Sequence, residues 1–79
     1  IISVFGLNVG EREQGIIVNR LEPDGIAAKA GIALGDVVLE LDGRAPRALL
    51  TSQDFIRYTA DKKEIRLRIK GKGEKRLAL

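Results

Sequence analysis

Ser3, Thr51, Ser52 and Thr59 supply hydroxyls, and Glu22, Asp24, Asp36, Glu40 and Asp42 supply carboxylates, in the arrangements that come nearest to chemistry in this sequence. There is no His and no Cys. Ser-His-Asp and Cys-His nucleophile systems are therefore excluded, together with zinc sites built from those ligands. A Ser-Lys pair using Lys62 or Lys63 is conceivable in principle, but helix capping and surface polarity account for the same hydroxyls. The carboxylates lack the alternate-position loop that calcium requires. Each Asp also has a local reason to exist, since Asp24 and Asp42 precede Gly in turn signals and Asp36 follows one. Gly71-Lys72-Gly73 has neither the length nor the Ser/Thr of a phosphate loop and reads as a hairpin turn. These residues imply no catalytic group, no metal and no cofactor, so the chain reads as a non-enzymatic module.

Size and composition agree with that reading. The chain has 79 residues, 44% hydrophobic and 32% charged, enough for one small globular core and no second one. No apolar run approaches the roughly 20 residues of a spanning helix, so direct membrane insertion is not expected. With no cysteine, stability rests on packing and not on disulfides. No initiating Met or basic-then-apolar leader opens the sequence, and residues 1–79 are expected to be one domain cut from a larger protein. The net charge is +3, with the surplus gathered in Arg66, Arg68, Lys70, Lys72, Lys75 and Arg76.

Several short elements must hold these residues. Phe5, Leu7 and Val9 recur at every second position, as in a half-buried strand, and Glu11 to Gln14 reads as a polar turn. Gly15 to Leu21 forms a second strand that Pro23-Asp24-Gly25 ends. Ile26 to Ala30 reads as one or two helical turns, with Gly31 at the left-handed cap. Val37 to Leu41 is an apolar strand whose poor alternation predicts burial on both faces or a bulge, and Asp42-Gly43 turns it. Arg44 to Ala48 is a connection containing Pro46. The main helix follows, capped by Thr51 or Ser52, with Asp54 in its first turn and Phe55, Ile56 and Thr59 on one side. Ile65 to Lys70 and Lys75 to Leu79 form a closing hairpin. The expected class is α+β, mainly β: a small, partly open barrel or sandwich of five to six strands with two helices.

The stretch from Gly15 to Val18, through Glu22-Pro23-Asp24-Gly25-Ile26-Ala27-Ala28-Lys29-Ala30-Gly31-Ile32, to Gly35-Asp36-Val37-Val38-Leu39-Glu40-Leu41-Asp42-Gly43, closely resembles the PDZ domains of bacterial proteases. Such domains occur in HtrA-type serine proteases, C-terminal processing proteases, site-two-type membrane metalloproteases and some secretion components, and the sequence does not choose among them. The resemblance implies a PDZ fold in which a C-terminal strand, Lys75 to Leu79, replaces the missing first one. It implies a carboxylate-binding loop at Phe5, Gly6 and Leu7 and a peptide-pairing strand at Leu7, Asn8 and Val9. Its groove helix would present Ser52, Ile56 and Thr59. Ser52 stands where the animal class that selects Ser or Thr near a peptide's end carries His, so that specificity is not implied.

The partners expected from the resemblance are peptide or protein C-termini with an apolar last residue, and the catalytic domain of a parent protease. Strand addition would supply the affinity, and Phe5, Leu7 and Ile56 would line the pocket for the last side chain. The role would be substrate recognition or regulation, in a bacterial periplasm or cell envelope. Two alternatives stand beside it. One is a degenerate fold that docks only on its own catalytic domain. The other is a basic surface, from Arg66 to Arg76, meeting nucleic acid or an anionic membrane. Three aromatic residues leave little for bases to stack on, and alternating basic residues are the ordinary solvated face of a sheet, so no nucleic-acid partner is expected.

Overall fold

The computed structural model describes residues 1–47 and 51–79. Five strands and two helices follow one another as β1 (Leu7–Arg12), β2 (Gly15–Leu21), α1 (Ile26–Lys29), β3 (Val38–Leu41), α2 (Ser52–Thr59), β4 (Glu64–Ile69) and β5 (Gly73–Ala78). β1 and β2 form an antiparallel hairpin, and the other strands form an antiparallel sheet in the order β3-β4-β5. A bridge between Ile17 and Val37 joins the two sheets. It is reinforced where Val18 donates to the carbonyl of Asp36 and Gly35 donates to that of Val18, both at 2.9 Å. The result is a mainly β, partly open sandwich, and β5 fills the outer place beside β4 as the family pattern implies.

Alternation along the strands builds the core. Leu7 and Val9 of β1, Ile65, Leu67 and Ile69 of β4, and Leu77 of β5 all turn inward, and each is essentially inaccessible. Phe55 closes the core from α2, and Phe5 and Ala27 close it from the other end. Burying a side chain the size of Phe or Leu stabilises a fold by about 1.5–3 kcal/mol, so this cluster dominates the stability of so short a chain.

Local chemistry sets the ends of the helices. Thr51 caps α2, its hydroxyl accepting from the Asp54 amide at 3.1 Å, so Ser52 is left free for another partner. α1 ends at Lys29 and not Ala30, because Ala30 is its C-cap. Gly31, with φ of 93°, then turns the chain so that Ile32 donates to Ala27 and Gly31 to Ala28.

Several boundaries depart from the sequence reading. β4 and β5 run Glu64–Ile69 and Gly73–Ala78, not Ile65 to Lys70 and Lys75 to Leu79. Ile69 pairs with Gly73 and Glu64 with Ala78, which leaves Lys70 in the turn and Gly73 in the strand. Glu11 and Arg12 belong to β1, and the turn shrinks to Glu13-Gln14, because Arg12 pairs with Gly15 and Glu11 with Ile16. A ladder is carried by the backbone, and exposed polar side chains do not interrupt it. β3 begins at Val38, with Val37 held in the isolated bridge, and a register shift between Val38 and Glu40 is the bulge that poor alternation foreshadows. β1 carries a second bulge between Asn8 and Val9, which the sequence did not disclose. Ala48, in the expected connection, lies outside the described residues.

Candidate functional site

β1 has β2 on one side and α2 on the other, so its second edge and the helix face each other across a narrow seam. The loop leading into this edge is held from behind. Phe5 accepts from the Ala27 amide at 3.1 Å, and Gly6 accepts from that of Glu22 at 2.9 Å, so the loop is tied to the start of α1. Gly6 has φ of 80°, and a Cβ there would stand 3.2 Å from the Cα of Gly25. Two backbones therefore approach at a pair of glycines, and a side chain at Gly6 would meet both strain and backbone atoms.

The structure brings together the residues expected to act as one site. Phe5, Gly6 and Leu7 form the loop, and Leu7, Asn8 and Val9 open β1. Ser52 faces β1 from α2, its hydroxyl donating to the Val9 carbonyl at 3.0 Å. Ile56 lies one turn on and is half-buried, whereas Thr59 is fully buried, its hydroxyl donating to the Phe55 carbonyl at 2.9 Å. Phe5, Leu7 and Val9 keep almost no accessible surface, so they form the core wall under the seam, and Ile56 is the member of the expected pocket that retains some.

Side-chain contacts that the sequence did not assign shape this edge. Ser3 is buried, its hydroxyl donating to the Leu7 carbonyl and its own carbonyl accepting from the Gly6 amide at 3.0 Å. Asn8, also buried, grips the preceding segment: its side chain accepts from the Ser3 amide at 3.0 Å and donates to the Ile1 carbonyl at 2.9 Å. Asn19 lies over Gly10 and donates to the Ser52 hydroxyl at 3.4 Å. A polar residue between Leu7 and Val9 was the available signal for Asn8; Ser3 left none.

α2 is fastened at its far end by Tyr58, whose hydroxyl donates to Asp42 at 2.6 Å while the other Asp42 oxygen accepts from the Arg66 amide at 2.8 Å. The bond to Asp42, then burial, then the carboxylate's charge hold the Tyr58 phenol above its ordinary range. Asp42 sits at φ of 52°, a conformation that Asp tolerates in turns. Its carboxylate is thus structural. The same holds for Asp36, which accepts from the Ala33 amide at 2.8 Å and pairs with Lys72 at 2.9 Å. Among the described residues, no three acidic groups gather in a way that could hold a metal ion. The basic cluster is also partly answered: Arg68 meets Glu40 at 3.3 Å, Arg76 meets Glu64 at 2.9 Å, and Lys72 meets Asp36.

A hairpin, a glycine loop and a helix set along the hairpin's outer edge are the architecture of a PDZ domain, and a family model described as PDZ domain matches residues 17–71. The chain belongs to that family. Its similarity runs to HtrA-type proteases. It is 33% identical over 72 residues to the "Probable periplasmic serine endoprotease DegP-like" of Halomonas elongata, covering 91% of this chain and 15% of that protein. It is 42% identical over 43 residues to serine endoprotease DegS of Escherichia coli K12, covering 54% of this chain and 12% of that protein. The chain thus spans only a small part of these relatives. Among solved structures, the HtrA3 PDZ domain bound to a phage-derived ligand, FGRWV, superposes with a TM-score of 0.63 at 17% identity, covering all of this chain and 81% of that one. This likeness is one of fold. The matched family segment begins within β2, after the loop and β1.

Proposed function

We propose that this domain binds apolar C-terminal or extended peptide segments by strand addition at β1, as the recognition or regulatory module of a larger HtrA-type serine protease. It performs no catalysis itself, and the parent acts in the bacterial periplasm or cell envelope. The observation that carries the reading is the outer edge of β1, where the carbonyls of Leu7 and Val9 are met by side-chain hydroxyls and, among the described residues, by no neighbouring strand. A peptide entering as a strand would offer N–H groups to those carbonyls, and its carboxylate would meet the amides of the Phe5-Gly6-Leu7 loop. Ile56 would contact the last side chain, with Phe5 and Leu7 behind it. The HtrA3 ligand ends in Val, which supports an apolar last residue.

So small an interface favours micromolar or weaker binding, on the order of −8 kcal/mol at most, with avidity in an oligomeric parent compensating. Fluorescence anisotropy with a Val-ended peptide and its C-terminal amide tests the proposal. Saturable binding of the free acid, weakened at least tenfold by the amide and nearly constant between low and high salt, is expected. Equal binding of both forms would refute carboxylate anchoring. Binding that collapses with salt would instead favour the basic β4–β5 surface.

A further inference from the structure

We propose that Ser3 and Ser52 form a pair of hydroxyl latches that hold the β1 edge self-satisfied and compete directly with an incoming peptide. The proposal rests on strand addition at β1 and concerns how that site is regulated. At the loop end, Ser3 does what the last residue of a peptide would do. Its carbonyl takes the Gly6 amide at 3.0 Å, where a carboxylate oxygen would sit, and its hydroxyl takes the Leu7 carbonyl, where a peptide N–H would sit. Further along, the Ser52 hydroxyl takes the Val9 carbonyl at 3.0 Å. Each latch has its own brace. Asn8 holds Ser3 by its amide at 3.0 Å, and Asn19 donates to the Ser52 hydroxyl at 3.4 Å.

These contacts answer a physical requirement. Leu7 and Val9 are enclosed by the core, and a carbonyl left unpaired in such surroundings is costly. A strand-adding peptide must therefore exchange hydrogen bonds and not simply gain them, which lowers its affinity. Ser52 is not needed as the helix cap, because Thr51 performs that role. Its hydroxyl can be removed without unmaking α2.

The test uses the 79-residue chain with Ser3→Ala, Ser52→Ala, the double variant and Ser52→Thr, and it has two readouts. Without peptide, the carbonyl ¹³C resonance of Leu7 should move upfield in Ser3→Ala and that of Val9 in Ser52→Ala, as each loses a donor. With a Val-ended free-acid peptide, each alanine variant should bind about two- to tenfold more tightly, the double variant by roughly the product, and Ser52→Thr like the parent sequence, the range following from the net strength of one hydrogen bond. Unmoved carbonyl resonances would overturn the latch whatever the peptide does. Moved resonances with unchanged or weaker affinity would also overturn it while leaving strand addition intact. If the resonances move and no variant binds peptide, strand addition itself fails and the latch with it.

Discussion

The two sheets satisfy their polar groups by different means. In β3-β4-β5, ladder bonds from Glu64 to Ile69 run without a register shift against β5, and ion pairs from Arg68, Lys72 and Arg76 fasten the periphery. At the outer edge of β1, two side-chain hydroxyls do the same work for Leu7 and Val9. Ladder bonds come as a cooperative set, whereas a hydroxyl can rotate away alone. On the proposed function, the first region persists and the second exchanges partners. The contrast teaches where to look for binding in a small β protein: at backbone groups that are satisfied, but only by side chains.

The sharpest break in this comparison comes from Phe55, the residue through which α2 joins the common core. Phe55→Ala should lose about 3–5 kcal/mol of stability, read by denaturant unfolding, and should abolish peptide binding because the seam loses one wall. Next is Gly6→Ala. A φ of 80° and a backbone atom at 3.2 Å from the new Cβ should cost about 1–3 kcal/mol and weaken peptide binding more than tenfold, separating loop geometry from the intact second sheet. Stability loss without any change in peptide affinity would contradict the loop's role.

Tyr58→Phe has a smaller and pH-dependent effect. The phenol is held protonated above its ordinary value of 10.0 by its bond to Asp42. A raised folded-state pKa contributes stability that is fully present below the unfolded value and lost as pH rises through the folded one. The variant should therefore be less stable than the parent sequence by about 1 kcal/mol at neutral pH, a gap that closes only above about pH 10, as seen by thermal unfolding across alkaline buffers. The smallest effect belongs to the exposed pairs. Arg68→Ala and Arg76→Ala should each change stability by less than about 0.5 kcal/mol and leave peptide affinity unaltered; a large loss of affinity would shift the site to the basic face.

The order of elements was legible in the sequence because apolar alternation in Ile65-Arg66-Leu67-Arg68-Ile69 and turn chemistry at Asp42-Gly43 and Gly71-Lys72-Gly73 act locally. The pairing of the loop at Gly6 with the helix at Ser52 came from the PDZ resemblance and not from local pattern, and the hydrogen bond from Ser52 to Val9 sets that helix against β1. What stayed hidden depends on partners distant in sequence. Glu11 and Arg12 are polar yet lie in β1, since pairing with Gly15 and Ile16 is a matter of backbone register. Periodicity reads Leu7 and Val9 as buried strand residues whereas the resemblance sets Leu7 in a groove, and the structure encloses both while their carbonyls turn to hydroxyls. Asp42 reads as a turn residue; that it also anchors α2 through Tyr58, 16 positions away, has no periodic signature.

The most direct test of strand addition is an amide-shift titration of this chain with a Val-ended peptide, as free acid and as C-terminal amide. Strand addition should give saturable shifts at Phe5 to Val9 and along Ser52 to Thr59 with the acid, and their loss with the amide. Silence at those residues, or shifts confined to Arg66 through Arg76 and erased by salt, would contradict it.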